Sequence, residues 1–429
     1  MIAGIKQFFQ RSLRSPEIKR KIIITALILI VFRFMAHVPA AGIDRESLKS
    51  LFGGNAFLSL LDIFSGGTLA NFSILSLGLG PYINASIILQ LFTYVFPALK
   101  ELSREGEYGQ EKINQYTKLL TIPLAIIQSF LMYSLLHRVG IISLVDPLSI
   151  VALVATMTAG TMLAVWLGDL ITQYGITNGV SFLIFVGIIS RLPVTIGNSL
   201  STAVGTDTFK LVIFAAVALI LLGLVTLINE AARHIPISSA RKSRSSINSG
   251  GASYLPLKVN QAGVIPIFFA VSLTVMPTFL GQFLSSVDSP QARQIGDFLV
   301  KTFSTQSIFY NLIYFVMVFG FTYFYTSVTF NPKDVSENLQ KAGSFIPGVR
   351  PGHETEKYLS FVLSRITFAG ALFLGSIAVL PSLLQGVIGV SNLLIGGTGI
   401  LIVVSVVLEV VRQLEAHQVM RRYEGFLER

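Results

Sequence analysis

The side chains able to do chemistry in this sequence are few and dispersed. Five histidines, His37, His137, His234, His353 and His417, stand apart with no metal-ligand spacing between them. There is no GxxxxGK[ST] loop to cradle a phosphate and no HExxH pair. Cysteine is absent, which removes disulfides, thiolate zinc, iron–sulfur clusters and thiol catalysis. The serines and lysines suggest no dyad suited to a protease in lipid, and no paired aspartates occur inside an apolar run. Asp169 and Glu230 fall at the ends of apolar runs, and Asp62 lies in a short segment outside them. Arg33, Arg191 and Arg365 do lie within runs, but nearer their ends, where a long side chain snorkels to the headgroups. These residues do not compose a catalytic centre.

The elements that carry them are apolar. Of 429 residues, 52% are hydrophobic and 13% charged, against about 25% charged in a soluble protein. Mean hydropathy is +0.70. Runs near the ~20 residues that a helix needs to cross a bilayer occur at 21–38, 71–96, 117–137, 150–171, 180–199, 209–229, 262–283, 306–327, 359–381 and 393–411. Ten spans put both termini on one side. They divide into five plus five, residues 1–200 and 201–429, with the break near 200–208. No strong internal repeat is visible, although an inverted structural repeat is compatible with the count.

Net charge is +10, and it sits in the gaps between runs. That is a topological signal rather than a nucleic-acid-binding face. Of the 32 Lys and Arg, 23 belong to one alternating set of gaps and only 6 to the other. The positive-inside rule makes the richer set cytoplasmic, both termini included. The N-terminus does not read as a cleaved signal peptide. Residues 3–14 are expected to form a basic amphipathic helix on the membrane surface.

Two cytoplasmic gaps, 233–260 and 328–358, are long, basic and rich in Gly, Ser and Pro. Long loops in a compact membrane protein are usually functional or disordered. For Arg241, Lys242 and Arg244, docking and mere solvation are equally consistent with the sequence. Arg350 differs, because the turn signals Pro347-Gly348 and Pro351-Gly352 bracket it and pin one cation in place. The tail at 412–429 is expected on the same side.

The stretch Phe57 to Gln90 reads in two parts. Phe57 to Leu69 is short, amphipathic and broken by Gly66-Gly67, too short to span. From Phe72 a full-length apolar run begins, with Gly, Ser and Asn along it and Pro81 within it. Such a pair predicts non-helical backbone lining a cavity rather than facing lipid. Ion-coupled carriers place ionisable groups near the midplane. Here the middles of the spans are mostly Ile, Leu, Val, Phe, Gly, Ser and Thr. A pore closed by apolar side chains, blocking ions by dewetting, fits better than a secondary transporter or an intramembrane enzyme.

Several motifs are specific enough to name a resemblance. They are FSGGTLANFSILSLGLGPYINASIILQL at 64–91, EGEYGQEKINQYTK at 105–118, GITNGVSFLIF at 175–185, LPLKVNQAGVIP at 255–266, NPKDVSENLQKAGSFIPGVRPG at 331–352 and GGTGILIVVSVVLEVVRQ at 396–413. In this order, and over nearly the whole chain, the sequence resembles the SecY/Sec61α family of protein-translocating channels. The resemblance implies an all-α polytopic membrane protein: ten transmembrane helices in two pseudo-symmetric five-helix halves, hinged on one side like a clamshell, with a short plug helix. The implied function is passive conduction of unfolded secretory polypeptides across the cytoplasmic membrane, with lateral release of membrane segments.

The resemblance also implies parts. A pore ring would comprise Ile83 and Ile87, Val180 and Ile184, Phe268, and Ile402. Each of the first two pairs is spaced i,i+4 and so stacks on one helix face. Phe268 departs from the Ile or Val usual in the ring. For any one of these residues alone, ordinary helix packing is the alternative. A plug would include Phe57, Leu61, Phe64, Gly66, Gly67 and Leu69, the glycines supplying a hinge. A lateral gate between spans two and three and spans seven and eight would carry Ser86, Gln128, Ser272 and Thr274, for which bonding within their own helix is the alternative. Arg241, Lys242, Arg244 and Arg350 would dock the ribosome and the motor ATPase SecA, which supplies the ATP hydrolysis. SecE and SecG would complete a heterotrimer. No cofactor is implied.

Overall fold

The computed structural model describes residues 16–40, 68–69, 72–138, 146–203, 208–239, 253–285, 289–304, 307–388 and 397–427. In chain order the elements are α1 (Pro16–Met35), α2 (Gly80–Val95), α3 (Pro97–Arg104), α4 (Glu107–Arg138), α5 (Pro147–Tyr174), α6 (Gly179–Ala203) and α7 (Thr208–Glu230). Strands β1 (Ala232–Ser239) and β2 (Ser253–Lys258) follow. Then come α8 (Ile265–Ser285), α9 (Pro290–Thr302), α10 (Ile308–Thr329), α11 (Pro332–Lys341), β3 (Ser344–Phe345), α12 (His353–Ile388) and α13 (Gly397–Leu427).

Each of the ten expected spans falls on a helix: α1, α2, α4, α5, α6, α7, α8, α10, α12 and α13. Taken singly, α4, α5, α10 with its continuation into α11, and α12 are long and apolar enough to cross a membrane. The pair α2–α3 makes a fifth, bent by 103° at its break. Large apolar side chains such as Phe34, Leu219, Leu227 and Ile308 stand exposed on the helix surfaces. In water such a surface would be an aggregation liability; in lipid it is the preferred outer face.

The second span begins later than its hydropathy suggests. Residues 72–79 are turns, and the helix starts only at Gly80 with Pro81 in its first turn. Proline suits that position because its missing N–H has no helical partner there. It therefore opens this helix rather than interrupting it. The turn segment finds its backbone partners within itself and in the chain just after α1. Thr68 Oγ1 donates to the Leu75 carbonyl at 2.8 Å, Ser73 Oγ accepts from the Leu75 N–H at 3.2 Å, and the Ile74 N–H reaches the Val38 carbonyl at 3.0 Å. Phe72, Leu75 and Leu79 are all buried. Non-helical backbone at membrane depth is tolerated only when enclosed in this way. Here Leu75 and Leu79 pack into a core shared with other helices.

The all-helical expectation applies to the membrane part only. The two long loops, for which no strand was expected, contribute to a three-stranded antiparallel sheet in the order β2-β1-β3. Ala232 pairs with Lys258 at the base of the β1–β2 hairpin, and Ser238 and Ser239 pair with Phe345 and Ser344. A separate core of Ile235, Leu257, Ile346 and Leu359 lies under this sheet. The two loops are thus one body with its own hydrophobic anchor.

Two larger cores hold the helices. One draws on α7, α8, α10, α12 and α13, with Val225, Ile267, Val318, Leu374 and Leu401 at its centre. The other draws on α1, α2, α5, α6, α8 and α13, and so joins the first five spans to the last five.

Candidate functional site

The second core contains most of the expected ring. Ile184 of α6 and Ile402 of α13 are buried members, and Ile83 of α2, Val180 of α6 and Phe268 of α8 pack against it. Ile87 is also buried but is not a member of that cluster. Four helices from both halves therefore bring five apolar side chains to one place. Val180 is set there by close helix packing. A Cβ on Gly179 would collide with the Gly168 carbonyl of α5, and the Gly179 N–H is received by Thr172 Oγ1 at 2.8 Å. Only glycine lets the two backbones approach so closely.

The first five spans meet the last five along a seam between α2 and the pair α8 and α10. Ser272 Oγ donates to Asn84 Oδ1 at 2.9 Å, joining α8 to α2. Tyr94 of α2 packs on Phe324 of α10 with ring centroids 5.8 Å apart. Beyond the bend, Arg104 of α3 pairs with Asp334 of α11 at 3.4 Å, with both side chains largely exposed. Ser272 thus stands on this seam. Thr274 is buried and donates back to the Ala270 carbonyl of its own helix at 2.8 Å. Ser86 and Gln128 are half-buried, and among the described residues no hydrogen bond joins either of them across the seam. Asn84, two residues before Ser86, was missed. The available signal was an amide side chain in the middle of an apolar run, where it needs a partner.

Two ion pairs tie neighbouring helices together. Lys118 of α4 meets Asp169 of α5 at 2.6 Å, and Arg412 of α13 meets Glu230 of α7 at 2.7 Å. Arg365 lies over the Phe361 ring at 4.5 Å, a cation–π contact on an exposed face. Among the described residues, no group of His, Asp and Glu could hold a metal ion. Lys258, at the end of β2, has its ammonium pKa pushed below the ordinary lysine value. Desolvation is the main cause and the nearby Arg412 charge adds to it, while Glu230 and Glu409 oppose the shift.

Arg350 stands exposed on a loop fixed from below. Thr355 Oγ1 donates to its carbonyl at 2.9 Å, and Ser336 Oγ donates to the Gly352 carbonyl at 2.7 Å. Gly352 has φ 97°, a left-handed backbone that an L side chain would strain. Arg241, Lys242 and Arg244 lie outside the described residues, as do residues 3–14 and the expected plug except Thr68 and Leu69. Leu69 is buried.

A family model described as SecY matches residues 73–411. The chain is 42% identical over 435 residues to the protein translocase subunit SecY of Thermotoga maritima, covering 99% of this chain and 98% of that one. It is 42% identical over 439 residues to the protein of the same description from Mycobacterium tuberculosis, covering 98% and 99%. Among solved structures it is similar to one described as a protein conducting channel, with TM-score 0.66, 19% identity, and coverage of 94% and 93%. Another is Sec61 in the canine ribosome-channel complex from the endoplasmic reticulum, with TM-score 0.62, 18% identity, and coverage of 94% and 93%.

Proposed function

The chain belongs to the SecY family, and on that premise we propose that the apolar cluster joining its two halves is the seal of a protein-conducting channel. The carrying observation is the convergence of Ile83, Val180, Ile184, Phe268 and Ile402, from four helices, on one core. Side chains without fixed charge can part around an extended polypeptide and close again. They offer it no strong binding site, and they resist small ions by dewetting. Ile87, one turn beyond Ile83 on α2, extends the same lining. A secondary transporter has no support in this family assignment.

The remaining parts follow as one reading. The α2–α8–α10 seam is the lateral gate, held by Asn84 and Ser272 and pried open by a hydrophobic signal segment. Phe57 to Leu69 is the plug on the outer side; one similar structure is of a SecY protein whose plug domain stabilises the closed state and maintains a membrane seal. The sheet and the Arg350 loop form the cytoplasmic docking face, and Arg241, Lys242 and Arg244 extend it. Solved relatives bound to ribosomes support a ribosome as partner, and basic loops suit its phosphates. SecA supplies ATP hydrolysis, and SecE and SecG complete the complex. The membrane is the cytoplasmic one, with both termini inside, from the distribution of Lys and Arg.

The chain has no cysteine, so single cysteines at Ile83, Ile184 and Ile402 report cleanly. A translocating chain stalled in the channel should crosslink to all three. Absence of crosslinks at every position while translocation proceeds would refute the seal.

A further inference from the structure

Both legs of the β1–β2 hairpin are rooted at one polar contact in the helix bundle. β1 starts two residues after Glu230, the last residue of α7. β2 ends at Lys258, after which the Val259 N–H continues the ladder to the Ala231 carbonyl at 2.9 Å. The next residue, Asn260, turns inward. Its Nδ2 donates to Asn229 Oδ1 of α7 at 2.8 Å, and Asn229 Nδ2 donates to Ser405 Oγ of α13 at 3.2 Å. Asn260 is only 7% exposed, and its Nδ2 bond replaces water that this group has lost, while among the described residues its buried Oδ1 has no hydrogen-bond partner. Two turns along the same helix face, Arg412 ties α13 to Glu230 of α7 at 2.7 Å.

The junction stands close to the core described above. Ser405 is one turn beyond Ile402 on α13, and Asn260 precedes Phe268 by eight residues on the segment leading into α8. We propose that Asn229, Asn260 and Ser405 are positioning residues that hold α8 and α13 in the register in which Phe268 and Ile402 close the seal. The apolar contacts of the ring are non-directional and do not fix helix rotation or sliding by themselves. A hydrogen-bonded amide chain does, because a shift of one residue leaves buried groups unpaired at considerable cost. The proposal rests on the reading of Ile402 and Phe268 as parts of the seal.

The test reads resting ion leak from vesicles containing the full translocase complex, with complex integrity measured in parallel. Ser405→Ala removes the hydroxyl that Asn229 needs and little volume. It should raise the leak about two- to tenfold, the range expected for loss of one bonded pair. Ser405→Thr, which keeps the hydroxyl, should restore a tight channel, which a packing effect would not predict. Asn260→Leu should leak as well, and combined with Ser405→Ala should add little, because the residues act through one chain of bonds. Ile402→Ser is the control for the seal. If it leaks while Ser405→Ala and an intact Asn260→Leu complex stay tight, the junction proposal is overturned and the seal stands. If Asn260→Leu fails to assemble, Ser405→Ala decides alone. If Ile402→Ser stays tight, the seal reading falls and this proposal falls with it.

Discussion

Ser272 and Asn84, 188 residues apart in the chain, meet in a hydrogen bond of 2.9 Å. It joins α8 to α2 across the seam between the two halves, which the Tyr94–Phe324 ring contact also crosses about 15 Å further along α2. Interhelical bonds of this kind in membranes average only about 0.6 kcal/mol. Such a bond biases the seam toward contact without locking it, as the proposed lateral gate requires.

Asn84→Ala or Ser272→Ala should therefore shift the open fraction of the seam by about threefold, the equivalent of one such bond. A pair of spin labels on cysteines introduced in α2 and α10 measures it. The double variant should match either single one, since each removes the same bond. Unchanged distance distributions in both single variants, with the complex intact, would exclude a latching role.

Arg350 projects from a loop held by Thr355 and Ser336. Arg350→Glu reverses an exposed charge without touching that scaffold. Motor-driven export should fall by about tenfold, in line with the loss of charge complementarity at an interface, while the amount of assembled complex stays the same. Normal export kinetics would remove Arg350 from the docking surface.

Gly179 lies where a Cβ would collide with the Gly168 carbonyl. Gly179→Ala forces α5 and α6 apart and should cost about 1–3 kcal/mol, the usual range for overpacking. Thermal melting of the purified complex in detergent would show it as a lowered midpoint. The same substitution at Gly197, with nothing within 4 Å of the added carbon, should not lower the midpoint, and the better helix propensity of alanine should if anything raise it.

Lys258 gives a pH prediction whose sign is fixed. Its ammonium pKa lies below the ordinary 10.5 because of desolvation and then the Arg412 charge. Between the lowered value and 10.5 the unfolded chain binds more protons there than the folded one, so this residue's contribution to stability improves as pH rises through that window. Arg412→Gln removes the repelling cation and frees Glu230 to attract Lys258. The pH midpoint for acylation of the Lys258 amine should move upward. A midpoint that stays put or falls would show that Arg412 does not set it.

Much of the architecture was legible because hydropathy is a local property. A run of apolar residues such as 150–171 must find a non-aqueous environment, and its length fits the membrane whatever it packs against. The spacing of Ile83 and Ile87, and of Val180 and Ile184, likewise fixes which residues share a helix face. The late start of α2 was harder to read. Residues 72–79 are as apolar as a span, and their turns depend on Thr68 and Ser73 reaching particular backbone groups. The sheet was hidden for a similar reason, since β1 and β3 are joined by residues more than a hundred positions apart.

By itself the sequence determined a chain of ten apolar spans and the set of gaps in which its cations gather. It could do so because each of these depends on residue type and spacing along one segment. Only the tertiary structure decided that Asn84 rather than Ser86 meets Ser272, that two basic loops form one sheet over a shared core, and that Asn229, Asn260 and Ser405 are bonded in a chain. Those are pairings between distant segments. A polar side chain in a span needs a partner, but which partner it finds is set by the packing of helices whose apolar faces fit many neighbours almost equally well.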